Sequence, residues 1–526
     1  MLGYFLFEAI PTICLVHAKR QSTIHECSAN ILNNLVSIRG KTYRNDSCYN
    51  ISPKILDLLN RNLHNQKNHP LWLIKSRIVD FFYKRPAHKR SHENSAGGGG
   101  SPLFSVHDSI SPVVSTFQNF DSLLVAPDHV SRRPTDTYYV NATTVLRSHT
   151  SAHEMDLIKS GLNAFLVVGD VYRRDDIDAL HYPAFHQLEG VRLFSQNELF
   201  KDAIDPSGCF NLFEPSARDA HAPLVPLSEA LPSSDLPPDR QPRHSIETTY
   251  CLEFQLKRVL EELAIHLFGK GSHVVERWQN ASWQAVACRV VRRCLTPLDS
   301  DLAKTGCLTC WVIHVDIPMR WVPAYFPFTH PSWELEVQTG VLTGNSTDGW
   351  TEMLGCGILR QEILDHSGVT NKVAYAFGLG LERWAMKLYS IPDIRLFWSQ
   401  DSGFLNQFKT DDFNQPIHYK AVSVFPPCHL DISFWLPSET DPKPSSSSAH
   451  LEFERDFFEL VRGVAGDLVE QVTLIDRFED KKRSRVSYCY RIVYRDHHRT
   501  LTMKEVRPLH QKVASLAESQ LKVTVR

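Results

Sequence analysis

Polar side chains follow a strongly apolar run that predicts a buried strand over Ala164–Tyr172. Arg173 comes directly after this run, and a second strand-like segment begins at Phe185 after a charged loop. Because strand residues alternate between faces, Phe185, Gln187 and Glu189 share one face. An aromatic ring, an amide and a carboxylate are an unusual mixture for a buried strand. The pattern also fits a solvated sheet face with a structural salt bridge.

A glycine-rich turn, GLGLER, precedes a predicted helix near Arg383. Gly378 and Gly380 let the backbone approach another group closely. An arginine in the first turn of a helix is poorly placed for the helix dipole, but it can meet a phosphate or stack on a flat ring. The spacing matches neither a P-loop nor a dinucleotide fingerprint, so a turn with a surface arginine is the alternative.

The composition excludes several classes of protein. The chain has 526 residues and a net charge of −2, so it is not a uniformly basic nucleic-acid coat, although a local basic patch remains compatible. No apolar run is long enough to span a membrane. Twelve cysteines are too few for a disulfide scaffold in so long a chain. The pair Cys307 and Cys310, with two cysteines upstream, fits a zinc site or chance thiols in an insertion.

Several segments are predicted to lie outside the core. Residues 1–46 contain only two acids before residue 45 and are typical of an organelle transit peptide, with a floppy tail as the alternative. Residues 95–102 predict a loop or linker. The proline-rich segment of about 215–245 predicts a surface insertion, and the cysteine-bearing segment 271–318 predicts a second insertion outside the core.

The remaining pattern predicts an antiparallel domain followed by a smaller one. The smaller domain begins at Tyr419 and has the order βαββαβ, which is the ferredoxin-like arrangement. The larger domain is predicted to contain a helix at Ile246–Phe268, strand material at Trp321–Val337 with a turn at His330–Ser332, a strand at Trp350–Leu359 and a strand-to-helix turn at Asn371–Leu388.

Taken together, the two arginines resemble motifs 2 and 3 of the class II aminoacyl-tRNA synthetases. The intervening motifs and the ferredoxin-like C-terminus narrow the resemblance to single-chain, organellar phenylalanyl-tRNA synthetases. It covers about residues 102–213, 248–268 and 321–526. The motifs that carry it are HTSAH (149–153), GDVYRRD (169–175), HYPAFHQLEG (181–190), FPFTHPS (326–332), LGCG (354–357) and GLGLER (378–383).

The resemblance implies an α+β fold in two working domains. A class II antiparallel sheet with flanking helices would occupy 47–400, and a linker 401–418 would lead to a ferredoxin-like anticodon-binding domain at 419–526. It also implies ATP-dependent activation of phenylalanine and transfer to the 3′-terminal adenosine of mitochondrial tRNA(Phe). The enzyme would be a monomer of the mitochondrial matrix, without a membrane partner.

The resemblance assigns the nucleotide-binding roles by position. Arg173 would bridge the substrate carboxylate and the α-phosphate, since two anions repel at close range. Arg383 and Phe185 would stack on the two faces of adenine, with Gly380 also contributing to ATP binding. Mg²⁺ is expected to accompany ATP, and Glu352 is a candidate metal ligand.

The amino-acid roles follow from the same match. Gln187 and Glu189, helped by Ser151, would accept hydrogen bonds from the substrate ammonium. His149 would lie near the carboxylate and the α-phosphate. No general base is needed, since the attacking carboxylate is already ionised.

The motif FPFTHPS predicts the side-chain pocket. Phe326 and Phe328 are expected to alternate on one strand face and to offer ring edges to a substrate ring, while the small Ala376 leaves room. Simple core packing is the alternative for the two phenylalanines taken alone. No editing domain is apparent, so rejection of tyrosine is predicted to be limited.

The last domain carries a basic strip that suits RNA. Between residues 477 and 507 there are ten lysines and arginines against four acids. Interleaved tyrosines at 488, 490 and 494 are predicted to stack on single-stranded RNA; a solvated sheet face is the alternative. The predicted tRNA contacts are Arg477, Lys482, Arg485, Arg491 and Arg495.

Two other functions remain open. The first is a synthetase-like RNA-binding or regulatory protein without ligase activity, which loss of Arg173, Arg383 or the pair Gln187 and Glu189 would favour. All four residues are present. The second is a class II fold that ligates another acid, such as a biotin-type ligase, which would not explain the RNA-binding domain.

Overall fold

The computed structural model describes residues 35–59, 61–84, 103–201, 210–214, 224, 226–269, 273–274, 318–338, 349–421, 425–436, 447–480, 485–496 and 498–526. Two sheets dominate these residues, an eight-stranded one and a four-stranded one. The strands are β1 (Leu35–Ile38), β2 (Lys41–Arg44), β3 (Ser105–His107), β4 (Val113–Ser115), β5 (Tyr139–Asn141), β6 (Thr144–Leu146), β7 (Ala164–Tyr172), β8 (Ala184–Phe194), β9 (His273–Val274), β10 (Pro318–Phe326), β11 (Thr329–Gln338), β12 (Trp350–Leu359), β13 (Val373–Gly380), β14 (Cys428–Trp435), β15 (Val469–Asp480), β16 (Arg485–Tyr494) and β17 (Thr524–Val525).

The α-helices lie between and around these strands. Shorter 3-10 turns connect them, and the turn Thr150–His153 is the one that matters for the site. The helices are α1 (Pro53–Leu58), α2 (Pro70–Lys84), α3 (Thr116–Asn119), α4 (Glu154–Lys159), α5 (Gln196–Leu199), α6 (Ile246–Phe268), α7 (Gln361–His366), α8 (Leu381–Tyr389), α9 (Ser402–Leu405), α10 (Ser447–Ala465) and α11 (Met503–Leu521).

The large sheet has the order β3-β7-β8-β13-β12-β11-β10-β9. Its inner strands are antiparallel, and only the outermost pairs, β3 with β7 and β9 with β10, run parallel. Every residue of β7 is buried, which explains its continuous apolar sequence. The predicted α+β class and the antiparallel catalytic sheet are confirmed.

Helix α6 covers one face of this sheet and has the predicted bounds. Ser245 caps its N-terminus by accepting a hydrogen bond from the Thr248 amide at 3.2 Å. Leu252, Leu256 and Leu260 recur every four residues and are fully buried. Each such leucine contributes about 1.5–3 kcal/mol of burial free energy, so one apolar stripe fixes the helix on the sheet.

The N-terminal hairpin β1–β2 lies within the range 1–46 that was predicted as a leader. Its turn uses Arg39 and Gly40, both with positive φ, as two-residue hairpins require. The Arg39 guanidinium donates to buried Asp170 at 2.9 Å and to the Leu59 carbonyl at 2.7 Å. Residues 35–44 therefore belong to the packed domain. The segment 1–34 lies outside the described residues.

The proline-rich insertion is not the pure surface segment that its composition predicts. Gln241 and His244 are buried, and Ser233 is only 4% exposed. The Gln241 amide donates to the carbonyls of His330 and Leu359 at 2.9 and 3.1 Å. The end of this segment therefore bridges two strands of the sheet. Of the second insertion, 271–318, the structure describes only β9 and Pro318, and its cysteines lie outside the described residues.

The predicted linker 401–418 packs on the catalytic core. Phe404 and Phe408 are buried, and their rings contact each other at 5.1 Å. Tyr419, the predicted start of the last domain, also packs there, with its ring 5.6 Å from that of Phe404. The strand predicted at 419–425 is absent from its described residues, so the last domain begins with β14.

The C-terminal domain confirms the predicted ferredoxin-like order. Its sheet is arranged β15-β16-β14-β17 with all neighbours antiparallel, and α10 and α11 follow the first and third of its strands. Tyr488 and Tyr490 pack under the helices beside Phe457. Within the described part of the chain, no helix is long and apolar enough to cross a membrane.

Candidate active site

Three central strands bring the predicted site residues together. Gln187 and Glu189 on β8 lie directly opposite Gly380 and Gly378 on β13. A Cβ at position 378 would lie 2.6 Å from the Gln187 amide nitrogen, so a larger residue there would push the end of this side chain aside. The polar face of β8 and the glycine-rich end of β13 therefore form one continuous surface.

Arg173 lies where β7 ends, at the edge of this surface. Its Nε donates to the Ser148 carbonyl at 2.8 Å, which fixes the guanidinium. The guanidinium lies 5.3 Å from the centre of the Phe185 ring and remains exposed. A fixed cation next to an aromatic face can bind an anion attached to a flat ring.

Arg383 lies in the first turn of α8, across the same surface. Its Nη1 donates to the Glu352 carboxylate at 3.0 Å and to the Glu352 carbonyl at 3.1 Å. Both side chains are partly exposed, at 35% and 44%, so this ion pair holds the arginine loosely. The arrangement leaves Arg383 able to contact a ligand.

Carboxylates beside Arg383 provide the donor set that a divalent cation prefers. Glu334 on β11 and Glu352 on β12 lie close enough that burial, and then Glu352, raise the pKa of Glu334. Two carboxylates that repel each other fit a Mg²⁺ ion well. No cluster of three potential metal ligands occurs among the described residues, so the pair would share the ion with a ligand's own oxygens.

The 3-10 turn Thr150–His153 presents polar groups to the middle of the surface. The Ser151 hydroxyl donates to Glu189 Oε2 at 2.5 Å, and the Thr150 hydroxyl donates to the same oxygen at 3.1 Å. The Thr150 amide donates to Gln187 Oε1 at 3.2 Å. The predicted ammonium acceptors Gln187, Glu189 and Ser151 thus form one cluster.

His149 begins this turn. Burial, and then the nearby Arg173, lower the pKa of His149 to about 3. Its imidazole is therefore neutral at physiological pH, and Nδ1 has no hydrogen-bond partner. A neutral ring with one open nitrogen can accept or donate a hydrogen bond without adding charge beside Arg173.

The two phenylalanines meet in a way that differs from the prediction. Phe326 ends β10, whereas Phe328 lies in the turn to β11, so the turn falls at 327–328 rather than at His330–Ser332. Their rings stack with centres 5.9 Å apart and planes 17° apart, instead of alternating along one strand. The spacing of the two phenylalanines predicts alternation along a strand, but Pro327 lies in the turn and was the local signal that the strand ends there.

The stacked pair nevertheless borders the site. Phe328 lies 6.1 Å from the His149 ring and packs on the cluster that includes Ala376. A Cβ at Gly355 would come within 2.7 Å of the Phe326 ring, so the glycine of LGCG makes space for it. The pair and Ala376 form an apolar wall beside the acceptor cluster.

A buried hydrogen-bonded pair that the motifs do not predict joins β8 to the first turn of α8. Glu382, next to Arg383, accepts hydrogen bonds from the His186 amide at 2.9 Å and from His186 Nδ1 at 2.7 Å. His186 lies between Phe185 and Gln187, on the opposite face of β8. The contact between His186 and Glu382 therefore sets the position of Phe185 relative to Arg383. The sequence indicates it only through strand alternation, which turns His186 inward.

Comparison with known proteins agrees with this geometry. Residues 104–203 and 307–408 match the family described as tRNA synthetases class II core domain (F), and residues 423–526 match the ferredoxin-fold anticodon binding domain. The mitochondrial phenylalanine–tRNA ligase of Mus musculus is 43% identical over 99% of this chain and 97% of its own length. The chain belongs to the mitochondrial phenylalanine–tRNA ligase family.

Other relatives give the same assignment. The probable mitochondrial phenylalanine–tRNA ligase of Drosophila melanogaster is 42% identical and covers 93% of this chain and 92% of its own length. The chloroplastic/mitochondrial phenylalanine–tRNA ligase of Arabidopsis thaliana is 38% identical over 91% of this chain and 83% of its own length. The family assignment therefore spans both domains.

The tyrosines predicted to stack on RNA do not reach the surface of the anticodon-binding domain. Tyr488, Tyr490 and Tyr494 are all fully buried. They alternate with Arg485, Ser487, Cys489 and Arg491 along β16, and the alternation turns the tyrosines towards the helices. The prediction that these tyrosines stack on RNA is wrong. It was based on the mixture of tyrosines and arginines and did not ask which face of the strand each residue occupies.

The predicted basic contacts are distributed unevenly. Arg477 on the edge strand β15 and Arg485 at the start of the neighbouring strand β16 are exposed. Arg491 donates twice to Asp431 at 2.8 Å, and Arg495 is paired with Glu470 at 2.8 Å. Lys482 lies outside the described residues. The strip is therefore less positive than its sequence count suggests.

The open face of this sheet carries aromatic groups instead. Trp435 and Phe478 contact each other in a T-shaped arrangement at 6.1 Å, and Phe478 is 49% exposed. The Arg526 guanidinium lies 5.0 Å from the Trp435 ring centre. An exposed ring and a half-buried ring beside an arginine suit the stacking of bases from a single strand.

The two domains contact each other through the loop after Arg173. Arg455 on α10 pairs with Asp176 at 2.8 Å, and Arg174 pairs with Asp456 at 3.1 Å. The Tyr182 hydroxyl donates to Asp467 at 2.6 Å. These contacts are polar and lie next to the candidate active site.

Proposed function

We propose that this chain is a phenylalanine–tRNA ligase that forms phenylalanyl-adenylate from ATP and then transfers phenylalanine to the 3′-terminal adenosine of mitochondrial tRNA(Phe). The supporting observation is that an ammonium acceptor cluster, a fixed arginine and an apolar wall meet on one sheet face. Glu189 supplies the negative charge, Arg173 the positive charge and Phe328 part of the wall. These three kinds of group are the ones that the ammonium, the carboxylate and the side chain of phenylalanine require.

In the first step the substrate carboxylate attacks the α-phosphate of ATP. Gln187, Glu189 and Ser151 hold the ammonium, while Arg173 lowers the repulsion between the two anions as the new bond forms. Pyrophosphate leaves with the bond electrons. No protein group must remove a proton, because the carboxylate is ionised at neutral pH.

Adenine would lie between Phe185 and Arg383, with Gly380 giving the ring close access to the backbone. Glu352, together with Glu334, would hold the Mg²⁺ that accompanies ATP. That ion neutralises phosphate charge when it is bound. Arg383 would then exchange its pairing with Glu352 for contacts with the nucleotide.

The stacked Phe326 and Phe328 would select the substrate ring. A tyrosine hydroxyl would enter an apolar wall without a partner, which lowers its activation by about a hundredfold at most. Phenylalanine-dependent exchange of pyrophosphate into ATP, compared with tyrosine, tests the proposal. No exchange by folded protein would refute it and would favour an RNA-binding protein without ligase activity.

An Arg173→Ala variant distinguishes the activation of phenylalanine from the binding of tRNA. It should lose adenylate formation, since the bridging charge is gone, while its affinity for tRNA changes little. Arg477→Ala should show the reverse pattern. Equal losses in both steps for both variants would contradict the assigned roles.

We infer that the chain acts as a monomer in the mitochondrial matrix. The catalytic and RNA-binding parts are joined in one chain, and their polar contacts, such as that between Arg174 and Asp456, can separate at modest cost. The C-terminal domain would swing away so that tRNA reaches Arg173. A stable dimer in a sizing experiment would contradict the monomer.

A transit peptide would end before Leu35 rather than at residue 46. Removal of Arg39 would take a cation from buried Asp170. N-terminal sequencing of the mature protein tests this boundary, and a mature terminus beyond Arg39 would refute it.

A further inference from the structure

Two carboxyl groups are buried side by side beneath the acceptor cluster. Glu154 is the first residue of α4 and is 0% exposed, and Glu189 is 2% exposed on β8. Their carboxyl groups lie within hydrogen-bonding reach of each other. Glu189 has an assigned role as the ammonium acceptor, whereas Glu154 has none.

The hydrogen-bond donors around the pair are unevenly divided. Both hydroxyl donors, from Thr150 and Ser151, go to Glu189 Oε2. Glu189 Oε1 and both oxygens of Glu154 receive no hydrogen bond from any other group in the described residues. Three unpartnered buried carboxyl oxygens would be costly if both groups were anionic. A single proton between the two carboxyls removes most of this cost.

The surroundings decide which carboxyl keeps the proton. Burial and the neighbouring Glu189 raise the pKa of Glu154 well above its usual range. Burial also raises the pKa of Glu189, but the hydrogen bond with Glu154, then the two hydroxyls and the charge of Arg147, oppose that effect. Glu154 is therefore the acid and Glu189 the carboxylate.

The other titratable groups packed around the pair, within the part of the chain that the structure describes, are paired or neutral. Arg147 is bonded to Asp170 at 3.1 Å and to His153 at 2.9 Å. Burial and Arg147 lower the pKa of His153 to about 3, so this ring is neutral. The acids of the adjacent helix α7 are paired elsewhere: Glu362 with Arg360 and Asp365 with Arg243.

We propose that Glu154 is a positioning residue for amino-acid binding, whose protonated carboxyl donates to Glu189 Oε1 and holds Glu189 as a single, oriented carboxylate. The pair then offers one negative charge to one ammonium. Glu154 itself need not touch the substrate. This inference rests on the proposed function.

The test compares Glu154→Gln with Glu154→Ala in phenylalanine-dependent exchange between pH 6 and 8.5. Gln keeps a neutral donor, so its KM for phenylalanine should stay within about threefold of wild type. Ala leaves Glu189 Oε1 without a partner and favours protonation of Glu189. Its KM should rise roughly tenfold to a hundredfold, as expected for a lost hydrogen bond to a charged group. The rise should be largest at pH 6, and kcat should change less than KM.

Glu229→Gln, at an exposed position, is the matched control and should follow wild type throughout. An Ala variant with the KM and pH profile of wild type would overturn the proposal. A Glu154→Gln variant as impaired as Glu154→Ala would also overturn it, because the negative charge of Glu154, and not its hydrogen-bond donor, would then be what matters. Absence of exchange in wild type would instead refute the proposed function.

Infrared difference spectroscopy tests the proton without relying on activity. The spectrum of wild type minus Glu154→Gln at pH 7 should contain the carbonyl stretch of one protonated carboxyl. A purely ionised carboxylate signal in that difference would overturn the proposal, even if a variant were too unstable for kinetics. Addition of phenylalanine should leave the band in place, because the substrate binds the other carboxylate.

Discussion

Replacement of Asp170 by asparagine should be among the most damaging single changes near the active site. Asp170 is almost completely buried and accepts hydrogen bonds from Arg147 at 3.1 Å, Arg39 at 2.9 Å and the Tyr172 hydroxyl at 2.6 Å. Arg147 is itself only 1% exposed. Asparagine would leave a buried guanidinium without its counter-charge, which costs about 3–5 kcal/mol.

The structure also predicts the order of the neighbouring variants. Arg39→Ala removes a cation that is 21% exposed, and Asp170 keeps Arg147 as its partner. The loss should therefore be smaller, about 1.5–3 kcal/mol for a hydrogen bond to a charged group. Asp411→Asn removes one member of an exposed pair with Lys67 and should have no measurable effect.

Urea denaturation at pH 7 measures these differences as changes in the free energy of unfolding. A loss below about 1 kcal/mol for Asp170→Asn, or a larger loss for Arg39→Ala, would refute the reasoning. Burial alone would raise the pKa of Asp170, but Arg147 and Arg39 outweigh it and lower the pKa. The advantage of wild type should therefore persist above the unfolded pKa, about pH 3.9, and disappear as pH falls through the folded value.

Three further outcomes test the site and the RNA-binding domain. Gly378→Ala should displace the Gln187 side chain and raise KM for phenylalanine about tenfold with little loss of stability, and an unchanged KM would contradict that contact. Glu382→Gln should weaken the tie to His186 and raise KM for ATP more than KM for phenylalanine; equal increases would argue for a general folding defect. Arg477→Ala should weaken tRNA binding and reduce the slope of log affinity against log salt by about 1, whereas an unchanged slope would remove Arg477 from the interface.

Sequence patterns predicted the bounds of an element correctly wherever a single hydrophobic period ran through the whole segment. The buried run of β7, the stripe of α6 and the strand β12 have the bounds that their sequences predict. Alternation on β8 also placed Phe185, Gln187 and Glu189 on one face. These predictions succeed because the hydrophobic period and the pleat act over neighbouring residues and need no distant partner.

Prediction failed where a distant partner determines the conformation or the exposure. Composition assigned the proline-rich segment to the surface, but Gln241 is buried because carbonyls of β11 and β12 meet its amide. Phe328 was placed on a strand, although a tight turn brings it against Phe326. The mixture of tyrosines and arginines suggested an RNA surface, whereas α10 covers Tyr490.

The sequence by itself therefore determined the family, the two-domain order and many of the residues that meet at the candidate site, because motifs and periodicity are local properties of the chain. Tertiary structure alone decided which charges meet. The pairing of Asp170 with Arg39 and the contact between Glu154 and Glu189 join residues that are far apart along the chain. These contacts matter because they are buried. Carboxyl groups that water would otherwise solvate must share protein donors or a proton there.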